Sequence, residues 1–178
     1  DVLADLVGLR DPADRTVLPL DELLALTGAL PTIGLRDDDS LFDRRFNTTP
    51  FVARDGKWLD FLPAELKHPA FNPNAGVSEP DKNTLMRLLA ALQIDDTQFL
   101  ALVKGLANAV VATAAPNDTL LKEVSTGRFV IRLTAASVQL LYRHARLARL
   151  FAFKVPELLR LMALTSDLNG KAVSNRFV

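Results

Sequence analysis

There is no cysteine among the 178 residues. Without a thiol the chain has neither disulfides nor thiolate metal sites. This absence does not settle a compartment, since bacterial secreted proteins also do without cysteine. Histidine is scarce: His68 and His144 stand far apart, with no second ligand at metal-like spacing. Both read as packed or hydrogen-bonded side chains. No apolar run approaches the ~18 residues that a membrane span needs; the longest, Leu106 to Ala115, contains Asn108. Glycine-rich phosphate loops, zincin motifs and serine elbows are missing. Asp37-Asp38-Asp39 lacks the glycine and the distal Glu of a calcium loop and reads as a solvated acidic loop. We therefore expect no catalytic, cofactor-binding or metal-binding residue, and no enzyme.

Net charge is also lacking, at a formal value of +0, yet the charge is segregated. Residues 1–43 hold ten acids and three bases. Residues 128–160 hold seven bases (Arg128, Arg132, Arg143, Arg146, Arg149, Lys154, Arg160) and one acid, Glu157. Such asymmetry marks either a nucleic-acid face or basic helix faces meeting acidic neighbours in a larger assembly. Aromatic residues are not interleaved with these bases as a single-strand platform requires.

Apolar residues make up 49% of the chain, well above a disordered composition. One apolar pattern occurs three times: Glu22-Leu23-Leu24-Ala25-Leu26, Gln98-Phe99-Leu100-Ala101-Leu102 and Glu157-Leu158-Leu159-Arg160-Leu161. Each copy has an apolar residue four positions before the Glu or Gln and another one after it. That is the spacing of a hydrophobic staple, which sets the angle at which the chain enters a helix. Each copy is expected to open a helix. The middle copy has Asp95 at the N-cap slot with Gln98 at the third helical position, close to a capping box. The third carries Pro156 in the first turn, where a missing N–H costs little.

Copies two and three each follow another helix, expected over Thr84 to Gln93 and over Ala135 to Ala152, the latter capped by Thr134. The apolar residues of the longer one form two stripes, so it should be packed between layers. The middle copy's helix is expected over Asp96 to Ala114. The fold class is therefore all-α: an irregular stack of helical hairpins within a single domain, residues 1–178. Residues 32–80 form an irregular, loop-rich insertion with five of the ten prolines. Within it Ser40 to Phe46 reads as a short helix. Trp58, after a turn at Asp55-Gly56, reads as a local packing anchor. Arg128 to Leu133 reads as a short strand or an extended lead-in, and no segment supports a full sheet. Asn47-Thr48-Thr49 and Asn117-Asp118-Thr119 match the glycosylation sequon. The chain shows no signal peptide and reads as a piece of something longer.

The helix-turn-helix arrangement raises DNA binding. Yet Phe99, Leu100, Leu102 and Leu158, Leu159, Leu161 stand where a recognition helix needs Gln, Asn, Arg or Ser. A nucleic-acid-binding module using the basic region 128–160 is the alternative reading, and it predicts binding that falls steeply with salt.

Four stretches carry a resemblance. Leu140-Leu141-Tyr142-Arg143-His144-Ala145-Arg146-Leu147-Ala148-Arg149-Leu150 runs into Val155-Pro156-Glu157-Leu158-Leu159-Arg160-Leu161-Met162-Ala163-Leu164-Thr165. Leu41-Phe42-Asp43-Arg44-Arg45-Phe46-Asn47 is followed by Pro50, and Leu88 to Ile94 and Phe129 to Thr134 complete the set. Over roughly residues 40–165 the chain resembles the helical region of insecticidal toxin-complex A subunits and related virulence-plasmid A proteins. The resemblance implies a portion of the α-helical shell of a large, secreted, bell-shaped homopentamer. That shell encloses a channel, opens on a pH change and helps deliver a toxin carried by partner B and C subunits. It implies a host receptor reached through other domains, no nucleic acid, and no membrane insertion by this segment. Arg143, Arg146 and Arg149 are then expected assembly contacts, with Arg146→Glu weakening assembly while the isolated fold stays helical.

Overall fold

A computed structural model describes residues 19–27, 40–46, 64–72, 76, 78–109 and 119–164. Asp37-Asp38-Asp39, Trp58, the Asn47 sequon and the Asn117-Asp118 pair lie outside the described residues. The described chain is mostly helical. Its helices are α1 (Leu20–Thr27), α2 (Leu41–Phe46), α3 (Glu79–Leu92), α4 (Asp96–Gly105), α5 (Ala135–Leu150) and α6 (Val155–Leu164). The strands are β1 (Glu65–Leu66), β2 (Leu121–Ser125) and β3 (Arg128–Arg132), and a 3-10 turn spans Pro69–Phe71.

All three copies of the repeated pattern open helices: α1, α4 and α6. Local chemistry explains two of these starts. Asp95 accepts the Gln98 N–H at 2.8 Å, and Gln98 Nε2 returns to Asp95 Oδ2 at 3.0 Å. Glu157 Oε2 accepts the Lys154 N–H at 2.9 Å, the reciprocal half of a capping box. Phe153, expected to staple α6, is instead exposed beside Phe151. α5 carries a full capping box: Thr134 Oγ1 accepts the Ser137 N–H, and Ser137 Oγ accepts the Thr134 N–H at 2.7 Å.

Helix ends differ from expectation by more than one residue in three places. α3 begins at Glu79 rather than Thr84, because Ser78 caps it and Pro80 sits in the first turn, where no N–H is needed. α4 stops at Gly105 rather than Ala114, with Leu106 closing the last turn through its N–H to Leu102 O. α5 stops at Leu150 because Ala152 takes up left-handed backbone, φ 56°, while Phe153 N–H reaches back to Ala148 O at 2.7 Å.

The mostly helical expectation holds and the short strand read at Arg128 to Leu133 is present as β3, but the expectation that no segment supports a sheet is corrected. A three-stranded antiparallel sheet runs in the order β1-β3-β2. β3 is the centre, pairing Leu66 with Ile131 on one side and Leu121 with Ile131 on the other. β1 has two residues, and β2 is exposed from Lys122 to Ser125, so neither shows the alternation that betrays a half-buried strand. The turn between β2 and β3 places Gly127 at φ 70°, with its N–H held by Glu123 Oε1 at 2.9 Å.

α5 is the middle of the structure. Leu140 to Ala145 are buried without interruption, so this stretch is covered on every side. α1, α3, α4 and α6 all pack on it, and α4 also packs on α6. α6 buries Val155, Leu158, Leu159 and Met162, one helical stripe. α2 is short for an independent helix. It is held by burial of Leu41, Phe42 and Phe46, with Phe42 stacked on Phe46 at 5.0 Å and Phe46 edge-on to Tyr142 at 6.1 Å.

Candidate functional site

The four-residue step from Tyr142 to Arg146 and the three-residue step to Arg149 set these side chains on one face of α5. α1 and α2 bring Glu22 and Arg45 against that face. Glu22 is the hub. Its Oε2 accepts from Arg146 Nε at 2.8 Å and also from Arg146 Nη2, while its Oε1 accepts from Arg45 Nη2 at 2.6 Å. The Glu22 side chain is only 6% exposed, against 19% for Arg146 and 29% for Arg45. Beside it Asp21 pairs with Arg44 at the surface. Arg143 Nε lies 3.5 Å from the carbonyl of Ala25, in the last turn of α1, where a cation meets carbonyls without helical partners.

Positive charge is in excess here. The Arg149 side chain makes no hydrogen bond or ion pair among the described residues, and its Nε is buried. Burial first, then the neighbouring Arg146, holds its pKa below the ordinary arginine value. Burial likewise lowers Arg143. Burial is the largest single influence on Arg45 and opposes its charge, but the hydrogen bond to Glu22 together with the electrostatic pull of Tyr142 and Glu22 outweighs it, and the pKa is raised. Tyr142 is buried with its hydroxyl unpartnered among the described residues, and burial followed by the Glu22 carboxylate pushes its pKa up. Arg45 lies alongside that hydroxyl.

The two histidines are held differently. His144 is buried, and its Nδ1–H donates to Leu140 O at 2.8 Å, while Nε2 has no hydrogen-bond partner among the described residues. Burial, with Arg143 nearby, lowers its pKa to about 4, against the raising effect of the Leu140 bond. His68 Nδ1 accepts the Ala70 N–H at 3.1 Å, so Nε2 carries the proton given to Asp96 Oδ1 at 2.9 Å. That ring ties the 3-10 turn to the first turn of α4 and packs on Phe71 and Phe99. Among the described residues no three His, Cys, Asp or Glu side chains gather where a metal ion would be held.

Of the seven bases in 128–160, Arg128, Lys154 and Arg160 are exposed. Arg132 pairs with Glu65 at 3.1 Å, and Arg143, Arg146 and Arg149 turn toward α1 and α2 of this same chain. The sequence alone marks Glu22 as a helix-opening residue and gives Arg44 and Arg45 a place only within the resembling stretch. The signal was the segregation of charge: an acidic pair, Asp21-Glu22, and a basic pair, Arg44-Arg45, on short helices that need anchoring. Among the described residues no helix is long and apolar enough to cross a membrane.

In comparison with known proteins, the chain matches no family model and no curated relative.

Proposed function

We propose that this chain is a structural segment of the α-helical shell of a toxin-complex A subunit. It acts mechanically, as a wall around a translocation channel rather than as a catalyst. What supports the reading is where the resembling residues are used. Tyr142-Arg143-His144-Ala145 lies in the fully covered stretch of α5, spent on packing against α1 and α2 rather than on a substrate. Three residues join α3 to α4 and four join α5 to α6, which supports reading both pairs as hairpin units of an irregular stack. On this reading the full-length protein is secreted and homopentameric, and it engages B and C subunits and a host receptor through other domains. Arg149, whose side chain makes no hydrogen bond or ion pair among the described residues, is the arginine best placed to contact a neighbouring part of such an assembly.

The test is the size of the native polypeptide, read by denaturing electrophoresis and blotting with an antibody raised against this chain. A product many times longer than 178 residues is expected. A native product of about this length would overturn the shell assignment.

A further inference from the structure

The arginine cluster also faces outward. A half-open cleft of about 250 Å³ lies between α2 and α3, walled by Arg44, Arg45 and Arg87 together with Phe46, Ala91 and Gln93. No acid is among its described lining residues. Arg44 and Arg45 each engage a carboxylate, Asp21 and Glu22, through one terminal nitrogen. A guanidinium has five N–H donors in a fixed fork, so both keep donors for a ligand. Arg87 makes a further interaction of its own and brings a third guanidinium to the far wall. Behind Arg45, Arg146 shares the same Glu22, and Arg149 has no carboxylate among the described residues. Four guanidinium groups thus gather about two carboxylates, and the cleft opens beside that surplus.

We infer that this cleft is a site for a tetrahedral oxyanion, either inorganic phosphate or the phosphate end of a small molecule. Three guanidinium walls offer more donors than the two oxygens of a carboxylate use, whereas the oxygens of a phosphate can take one or two from each. The volume is below the roughly 300–1,000 Å³ of pockets that enclose drug-sized ligands, so the cleft seats the phosphate and leaves the rest of a carrier molecule in solvent. Phe46 forms an apolar wall, which lowers the local dielectric and strengthens each charged contact.

The test is calorimetric titration of the 178-residue chain with inorganic phosphate, glycerol phosphate and acetate, at fixed ionic strength set with chloride. Phosphate is expected to bind with a millimolar or tighter constant and to raise the unfolding temperature, and acetate to do neither. Arg44→Gln and Arg87→Gln should each weaken phosphate binding at least tenfold while the circular dichroism spectrum is kept. Arg44 is 48% exposed, which makes its variant the one that spares the fold. Tighter binding of glycerol phosphate than of phosphate assigns the site to a carrier molecule, and equal binding assigns it to the free ion. Phosphate no better than chloride, or unchanged binding in a folded Arg44→Gln, overturns the inference.

Discussion

Arg146 Nε donates to Glu22 Oε2 across 2.8 Å and 124 residues of chain. The contact fastens α1 to α5, and because Glu22 also holds Arg45, one carboxylate locks three helices together. Glu22 of the acidic first part of the chain and Arg146 of the basic later part therefore meet within the same molecule.

Removing that carboxylate leaves two guanidinium groups facing each other in a poorly hydrated place. Glu22→Gln is expected to destabilise the fold by roughly 3 kcal/mol, the scale of breaking a buried pair from one side. Arg146→Glu should cost at least as much, since it sets two carboxylates together. The sequence-based expectation is that Arg146→Glu leaves the isolated fold helical; the contact with Glu22 adds that this fold is then less stable. Urea unfolding followed by circular dichroism measures both; midpoints within 0.5 kcal/mol-equivalent of the parent would refute the locking role, since that is about the scale of a neutral surface substitution.

His144 gives a defined pH dependence. Its folded pKa, about 4, lies below its ordinary value of 6.5. The unfolded chain thus binds more protons in that window, and stability falls as pH drops from 6.5 toward 4, then levels. The full loss is about 3 kcal/mol by the equivalence of one pKa unit to about 1.4 kcal/mol. His144→Leu should flatten the His contribution between these pH values, which unfolding curves of the two proteins, subtracted at each pH, will show. A difference curve that does not slope in this window rules it out.

Ala152 sits at φ 56°, a conformation that costs an L side chain roughly 1 kcal/mol or more. Ala152→Gly is expected to stabilise the protein by roughly 0.5–1 kcal/mol after the greater freedom of glycine in the unfolded chain is allowed for. A lower thermal midpoint for the variant would show that the turn after α5 is held otherwise.

Gly105 marks the close approach of α4 and α6. A Cβ there would lie 2.7 Å from Leu159 Cδ1. Gly105→Ala gains about 1 kcal/mol of helix propensity but must displace that buried leucine. We expect a net loss of about 1 kcal/mol in the parent, set by overpacking, and a gain when Leu159→Ala has already made room. A double-mutant cycle in urea checks the coupling; additivity would mean that Leu159 swings aside without cost.

The helices were legible because their signals are local. Apolar spacing, Asp95 with Gln98, Thr134 before α5 and Pro156 in the first turn of α6 all act within a few residues, and the structure has helices at each. The ends of α3 and α4 were less so: Pro80 is a breaker inside a helix but harmless in a first turn, and position within the helix is what sequence alone leaves open.

What the sequence by itself determined is the list of helix-forming segments and the segregation of acid from base. Only the tertiary structure decided that Glu65 pairs with Arg132, that Glu22 sits between Arg45 and Arg146, and that His144 is sealed from water. The physical reason is range. A cap or a helical turn is complete within one short segment, whereas a strand pair or a buried ion pair forms only after long loops have closed and the apolar faces of α1, α2 and α5 have excluded water around it.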